Sequence, residues 1–354
     1  MASAVINYSF LTINYMNYIA TWFYRESADE ASFYPQMGQR GDSALVHSVY
    51  MQIQVPFFRT FRHYNPKARL LFFTNLRREG LPRFLLGLFD ELGVETVTLP
   101  YERRPPKGWY GAWQNQFYLY DILGWMGGRM KADDALLVCD ADCLCRTPLD
   151  GLFDEIRKQG SALYEFITDR SATINGITLP EMEAFYSACY GTPPRLPLAY
   201  YGGEFIGLRG DSVCRINEAY AGLWAFNLAR AGSREPKLNE EAHVLSVLAE
   251  RLDLRNAVAN RYVKRMWTSP QFNNVRPEDE RLAVWHLPYE KKRGLYRLFR
   301  LLEKQKGLGD EERFWHRAKE LTGVPAVSLR KRLRDRWTTL IGKFKELKGV
   351  ISRS

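Results

Sequence analysis

Short apolar runs alternate with amphipathic stretches from residue 44 onward. Four runs have the length and composition of buried strands, and they lie at Ala44–Val49, Arg69–Thr74, Val94–Leu99 and Ala135–Asp140. The stretches between them have the spacing of amphipathic helices, and they lie at Met51–His63, Leu81–Leu92 and Trp109–Met126. This alternation predicts βαβ units, a mostly parallel central sheet and the α/β class.

The second half of the chain is less regular but contains the same two kinds of segment. Strands are predicted at Ser161–Ile167, Tyr200–Leu208 and Leu282–His286, and helices at Asp211–Ala231 and Asn239–Leu252. The sequence shows no internal repeat. We therefore expect one catalytic domain over residues 44–300, with an N-terminal extension over 1–43 and a helical C-terminal extension over 301–354.

The end of the chain predicts a basic amphipathic helix. Apolar residues recur there at steps of three and four, namely Leu329, Leu333, Trp337, Leu340, Phe344, Leu347 and Ile351. Nine Lys and Arg residues against two acidic ones give this segment seven of the ten net positive charges. Such a helix is typical of binding to an anionic membrane surface, and the alternative is packing on the domain or on a partner subunit.

Composition and charge narrow the class of protein. Hydrophobic residues make up 46% of the 354 and charged residues 25%, which excludes a disordered chain. Five cysteines, three of them within residues 139–145, do not resemble a secreted disulfide framework and favour a cytoplasmic protein. Because the chain before the tail is nearly neutral, nucleic acid is not an expected partner. With its basic tail, the protein is expected to be peripheral on the inner face of a membrane.

Two carboxylates end the predicted strand Ala135–Asp140. Asp140 and Asp142 are separated by one residue, so both side chains point to the same side while the backbone stays extended. In open α/β sheets, ligands bind beyond the carboxyl ends of the strands. Two converging carboxylates there predict a site for Mn²⁺ or Mg²⁺, and the alternative is a solvated turn rich in Asp.

The segment LLVCDADCLCRTPLDGLFDEI resembles the Asp-x-Asp segment of glycosyltransferases with the GT-A fold. The resemblance implies a Rossmann-like GT-A domain and a nucleotide-sugar donor held through Mn²⁺ or Mg²⁺. By position it implies that Asp142 binds the metal directly. Asp140 is implied to contact the metal or the ribose or sugar of the donor.

Two further segments resemble parts of the same family. The segment with Gly202, Gly203 and Glu204 is similar to the strand that lines the donor sugar, with Glu204 implied to bond a sugar or acceptor hydroxyl. Adjacent glycines suggest close approach to a ligand, and the alternative is a β-bulge. Glu240 and Glu241 resemble the acidic pair beside the anomeric carbon in retaining members, with Glu241 preferred. Their alternative is capping of the helix that starts there.

The segment Trp285–Gly294 resembles the late His-x-x-G-x-x-K segment of retaining, glycogenin-like families. The resemblance implies that His286 completes the metal site and that a lysine binds the diphosphate. This chain has Tyr289 where the family has Gly. Lys292 stands in the register of the family lysine, and Lys291 is one residue early.

Earlier residues are candidates for contact with the nucleotide. Asn75 follows the strand Arg69–Thr74 and either faces the nucleotide or forms a turn. Trp113, Gln114 and Asn115 lie in a region that related enzymes use to contact base and ribose, and core packing is the alternative.

Together these features predict a metal-dependent hexosyltransferase. It would move a hexose from a nucleotide diphosphate sugar, by default a UDP-sugar, to a glycan or lipid-linked acceptor, with retention of configuration, in surface polysaccharide or lipopolysaccharide-type synthesis. One alternative is a nucleotidyltransferase that forms sugar nucleotides, but HSVYMQIQVPFF lacks the glycine-rich basic loop expected after the first strand. The other is a non-enzymatic protein that binds membranes or polyanions through its tail.

Overall fold

The computed structural model describes residues 15–167 and 169–338. Its strands are β1 Asn17–Phe23, β2 Phe33–Tyr34, β3 Gln39–Arg40, β4 Arg69–Thr74, β5 Val94–Thr98, β6 Ala135–Cys139, β7 Cys143–Cys145, β8 Ser161–Ile167, β9 Tyr200–Arg209, β10 Val263–Arg265 and β11 Val284–His286. Its helices are α1 Ala44–Tyr64, α2 Arg83–Leu92, α3 Tyr118–Gly127, α4 Asp150–Gln159, α5 Leu179–Tyr190, α6 Gly210–Ala229, α7 Glu241–Arg251, α8 Gly294–Leu302 and α9 Glu311–Thr322. Residues 329–338 are also helical.

A six-stranded sheet with the order β5-β4-β1-β6-β9-β8 forms the centre of the protein. Strands β5, β4, β1 and β6 are parallel, and β9 runs antiparallel to both β6 and β8. Two hydrophobic cores cover the sheet, and successive residues of β6 alternate between them. This burial on both sides explains why the strands are continuous apolar runs, and it confirms the predicted α/β class with a mostly parallel sheet.

The predicted strand at Ala44–Val49 is wrong, because these residues form the first turns of α1. Ser43 caps this helix with its hydroxyl, which accepts a hydrogen bond from the backbone N–H of Val46. A short apolar run fits a buried helix as well as a strand, and length decides between them. The first strand is instead β1, between β4 and β6, and it lies within the segment predicted as an N-terminal extension.

Most other predicted elements are present with bounds shifted by a few residues. Strands β4 and β8 have the predicted bounds. The predicted helix Trp109–Met126 is shorter, because Trp113 has a left-handed φ of 49° and α3 begins only at Tyr118.

A small second sheet, with the order β10-β11-β7, determines the position of the candidate site. Strand β7 begins directly after the turn that carries Asp140 and Asp142, and β11 pairs antiparallel with it. In this register His286 is opposite Cys143. The pairing therefore places a histidine beside two carboxylates that are far from it in sequence.

The described part of the C-terminal amphipathic helix packs on the domain through charged side chains. Lys331 and Asp335 are buried, whereas Leu329, Leu333 and Trp337 are 73%, 58% and 66% exposed. The remaining members of the predicted apolar stripe, Leu340, Phe344, Leu347 and Ile351, lie outside the described residues. Among residues 15–167 and 169–338, no helix combines the length and apolar character needed to cross a bilayer.

Candidate active site

Asp140, Asp142 and His286 form a cluster that fits a divalent metal ion. One ligand atom from each residue lies within 4.8 Å of the others, and Nε2 of His286 is 3.4 Å from Oδ2 of Asp142. Within the described part of the chain, Oδ1 of Asp142 and both ring nitrogens of His286 are buried without a hydrogen-bond partner. Buried polar atoms are rarely left unpaired, and carboxylate oxygens with one imidazole suit Mn²⁺ or Mg²⁺.

The surroundings of the cluster shift the pKa values of its two carboxyl groups in opposite directions. Burial, together with the charge of Asp142, raises the pKa of Asp140 to about 6. Burial also disfavours the charged form of Asp142, but Lys291 and His286 outweigh it and hold the pKa of that carboxyl below its usual range. Asp142 is therefore ionised at neutral pH, whereas Asp140 changes its protonation state near pH 6.

The two candidate lysines have different positions. The ammonium of Lys291 is buried and contacts the carboxylate of Asp142, and the carboxylates around it outweigh burial and raise its pKa. Lys292 donates a hydrogen bond of 2.6 Å to the backbone carbonyl of Met37 and lines the cavity described below. Lys291, which stands one residue before the register of the family lysine, is thus the lysine that reaches the cluster.

Glu204 lies behind the histidine of the cluster. Its Oε1 is 3.7 Å from Nδ1 of His286 and accepts a hydrogen bond of 2.6 Å from Nε of Arg265. Burial disfavours the charged form of Glu204, but Arg265 outweighs it and lowers the pKa. A carboxylate on the second nitrogen of a metal-binding histidine fixes the orientation and tautomer of the ring.

Gly202 and Gly203 provide space for two carboxylates. A Cβ atom at Gly202 would overlap the carboxylate of Glu204, and one at Gly203 would overlap that of Glu241. The pairing of β8 with β9 is also irregular here, with register shifts on both sides of Glu165. The irregular pairing agrees with the bulge alternative, and the two glycines leave room for the carboxylates of Glu204 and Glu241.

The two carboxylates at the start of α7 differ in how they are held. Glu240 accepts hydrogen bonds from the hydroxyl of Tyr200 and the side-chain amide of Asn175, and burial raises its pKa to about 7. Glu241 is buried, and its Oε2 has no hydrogen-bond partner within the described residues. Burial, together with the charge of Glu240, raises the pKa of Glu241 well above the usual range. The side chain of Glu240, the N-cap residue, makes no capping hydrogen bond, so the capping alternative does not explain it.

A cavity of about 1030 Å³ brings most of these groups together. Its lining includes Trp113, Asp140, Gly203, Glu204, Glu240, Glu241, His286, Lys291 and Lys292. Such a volume is at the upper end for small-molecule sites, and its polar groups converge from β6, β9, α7 and the segment after β11.

Three predicted nucleotide contacts are not on the lining of this cavity, although Asn115 lines a smaller one of about 60 Å³ together with Asp140 and Asp142. Asn75 accepts from the backbone N–H of Arg25 and donates to its carbonyl, at 2.8 and 3.0 Å, so it ties two loops together. The side chain of Gln114 donates to the carbonyl of Tyr110. Asn115 is buried and donates to the hydroxyl of Tyr34 at 2.5 Å, which fits the packing alternative.

The cavity also contains residues that the sequence pattern did not reveal. Arg265 holds Glu204 from a strand of three residues, which is too short to show alternation. Asp335 and Arg336 line the cavity from the C-terminal helix. No sequence motif marks these residues, because only tertiary contacts bring them to the site.

No protein-family model and no curated protein sequence matches this chain. Among solved structures, it is similar to apo mouse xyloside xylosyltransferase 1, with 10% identity and a TM-score of 0.44, over 77% of this chain and 97% of that one. It is also similar to the apo WbbM bifunctional glycosyltransferase, with 9% identity and a TM-score of 0.48, over 86% of this chain and about half (52%) of that one. With TM-scores below 0.5, neither similarity shows what this chain does.

Proposed function

We propose that this protein is a metal-dependent glycosyltransferase that moves a hexose from a UDP-sugar to a glycan or glycolipid acceptor. The observation that carries the proposal is one cavity with two opposed kinds of group. Asp140 and His286 of the metal-type cluster and the buried Lys291 lie on its lining, and so does Glu241, whose buried Oε2 has no hydrogen-bond partner within the described residues. Cleavage of a sugar–diphosphate bond needs positive charge for the leaving group and negative charge for the developing cation of the sugar.

Asp140, Asp142 and His286 would hold Mn²⁺ or Mg²⁺ in this enzyme. The bound ion supplies Lewis-acid neutralisation of the diphosphate as it leaves. Lys291, held beside Asp142, adds a second positive charge, and Lys292 lines the same cavity. Glu204 lies 3.7 Å from Nδ1 of His286, where a small movement of either side chain would let it accept a hydrogen bond and orient the ring, and Arg265 keeps Glu204 ionised.

Glu241 is the residue that we assign to the sugar. In a retaining reaction its carboxylate oxygen forms a bond to the anomeric carbon as the bond to the diphosphate breaks. The acceptor oxygen then forms its own bond to that carbon, the bond to Glu241 breaks, and the proton of the acceptor hydroxyl passes to the departed diphosphate. Its raised pKa arises in part from the charges of Glu240, Asp140 and Glu204, so positive charge brought into the cavity favours the ionised nucleophile.

The C-terminal helix supports a membrane-bound setting for this reaction. Leu329, Leu333 and Trp337 form an exposed apolar stripe, while the helix rests on the domain through Lys331 and Asp335. The exposed arginines of the helix are Arg330, Arg332 and Arg336. An apolar stripe accompanied by arginines complements an anionic bilayer, whose headgroups attract basic side chains near the surface. We therefore propose that the enzyme binds the cytoplasmic face of a membrane, where surface polysaccharide or lipopolysaccharide-type acceptors are built on lipids.

The products of two incubations distinguish the transferase from the nucleotidyltransferase alternative. A transferase releases UDP from a UDP-hexose in the presence of Mn²⁺. A nucleotidyltransferase instead releases pyrophosphate from UTP and a hexose 1-phosphate. Release of pyrophosphate alone would contradict the proposal, and release of neither would leave the tail as the functional part of a membrane-binding protein.

A further inference from the structure

A buried carboxylate directly precedes the two lysines that we assign to the diphosphate. Glu290 directly precedes Lys291 and is fully buried. It accepts hydrogen bonds from the hydroxyl of Thr268, from the backbone N–H of Gly294 at 2.9 Å and from Nζ of Lys331 at 2.8 Å. None of the transferase steps described above uses this carboxylate.

Lys331 reaches Glu290 from the C-terminal helix. It is also fully buried, and its ammonium contacts Asp335 one turn further along that helix. Two glycines make the approach possible. A Cβ atom at Gly323 would lie 2.9 Å from Cδ of Lys331, and one at Gly294 would lie 2.7 Å from Oε2 of Glu290. The ion pair is therefore closely packed and joins two segments 41 residues apart.

A buried ion pair of this kind contributes little to stability relative to apolar residues of similar volume, because desolvation offsets the attraction. Its clearer effect is on geometry, because the charges of Glu290 and Lys331 compensate each other only while their two segments keep this arrangement. Here one segment contains Lys291 and Lys292, and the other contributes Asp335 and Arg336 to the cavity lining.

We propose that the Glu290–Lys331 ion pair positions Lys291 and Lys292 for the donor diphosphate, so that the C-terminal helix is a working part of the donor site. The inference rests on the proposed function. Lys331 and Glu290 act through the neighbouring lysines and are positioning residues. Loss of Lys331 leaves Glu290 as a buried unpaired charge, and the segment that carries Lys291 must rearrange to solvate it.

The test is calorimetric titration of the full-length protein with Mn²⁺ alone and with UDP in the presence of Mn²⁺. We expect Lys331→Met to raise the Kd for UDP roughly tenfold without weakening the affinity for Mn²⁺ alone. The double variant Glu290→Gln/Lys331→Met removes both charges of this pair and keeps the hydrogen-bonding capacity at position 290. Like the single variant, it takes Lys331 away from Asp335, so the difference between the two variants isolates the effect of Glu290. The double variant should recover most of the affinity for UDP, which a loss of general stability does not predict.

Arg59→Met is the control, because it breaks a partly buried ion pair with Glu91 between α1 and α2, away from the cavity lining. It should lower the melting temperature without changing the Kd for UDP. An unchanged Kd for UDP in Lys331→Met would overturn the inference, as would an equal loss of affinity in Arg59→Met. A wild-type protein that binds no UDP with Mn²⁺ would contradict the proposed function itself, and the inference would fail with it.

Discussion

The ammonium of Lys291 contacts the carboxylate of Asp142, which is also a candidate metal ligand. The same oxygen of Asp142 lies 3.4 Å from Nε2 of His286. A lysine and a metal ion would therefore share one carboxylate, on the side of the cavity that we assign to the diphosphate. In the proposed reaction, this arrangement would place two positive charges where the leaving group develops negative charge.

Replacement of Lys291 tests this arrangement. Lys291→Met should lower kcat about 10²-fold or more, because a positive charge at the leaving group is lost. It should also strengthen the binding of Mn²⁺ alone, since the ammonium no longer competes for Asp142. Lys292→Met is the comparison, with a smaller effect on kcat and none on Mn²⁺ binding, measured by steady-state kinetics and titration. A larger effect of Lys292→Met would indicate that Lys292, which stands in the register of the family lysine, is the residue that binds the diphosphate.

Replacement of Glu241 tests the assignment on the sugar side. Glu241→Gln keeps the shape of the side chain but removes the nucleophilic carboxylate, so transfer should fall by about 10³-fold or more. The Kd for UDP with Mn²⁺ should change by less than about twofold, since Glu241 is assigned to the sugar. Glu240→Gln is the matched control on the neighbouring carboxylate, and turnover should survive in it at a reduced rate. Unchanged turnover in Glu241→Gln would exclude it as the nucleophile.

Metal affinity should depend on pH through Asp140. Its pKa of about 6 means that it is largely ionised at pH 7.5 and largely protonated at pH 5. A protonated carboxyl cannot bind the cation, so Mn²⁺ affinity should fall about tenfold per pH unit below pH 6. Titration of Mn²⁺ between pH 5 and pH 7.5 measures this directly. Asp140→Asn should bind Mn²⁺ weakly, with a flatter pH profile. If the Mn²⁺ affinity of the wild-type protein did not change between pH 7.5 and pH 5, Asp140 could not be a ligand.

Membrane binding should require the exposed stripe of the C-terminal helix. Wild-type protein should sediment with vesicles containing anionic phosphatidylglycerol and much less with neutral phosphatidylcholine vesicles, and salt should weaken the binding. Trp337→Asp should reduce binding strongly, because it places a charge on the apolar stripe. Leu196→Asp changes a residue that is 59% exposed in a loop and serves as the control without effect. Equal binding to neutral vesicles, or no effect of Trp337→Asp, would favour a partner protein at this surface.

The sequence pattern predicted those site residues that lie at the ends of recognisable strands. Asp140 and Asp142 follow a buried strand, and His286 ends another, so local alternation and the family resemblance were enough to select them. The structure brings these three together through the pairing of β11 with β7. The predicted strand at Ala44–Val49 was wrong because its apolar residues fit the spacing of a helix as well as that of a strand. Only the full length of α1 shows that the segment is helical.

Other parts of the cavity depend on contacts that no local pattern encodes. Arg265 acts through Glu204, which lies 61 residues away, and its strand has only three residues. Asp335 belongs to the helix whose apolar stripe indicated either membrane binding or packing on a protein surface. The helix instead buries Lys331 against Glu290. Packing partners decide such choices, and they are visible only once the chain is folded.

Release of UDP from a panel of UDP-hexoses tests the central claim most directly. We predict release from one or a few donors with Mn²⁺, none with EDTA, and loss of release in Asp142→Asn. Asp154→Asn, which changes an exposed aspartate on α4, should release UDP at the wild-type rate. Release that continues in EDTA or in Asp142→Asn would contradict a metal-dependent transferase centred on this cluster, as would no release from any donor.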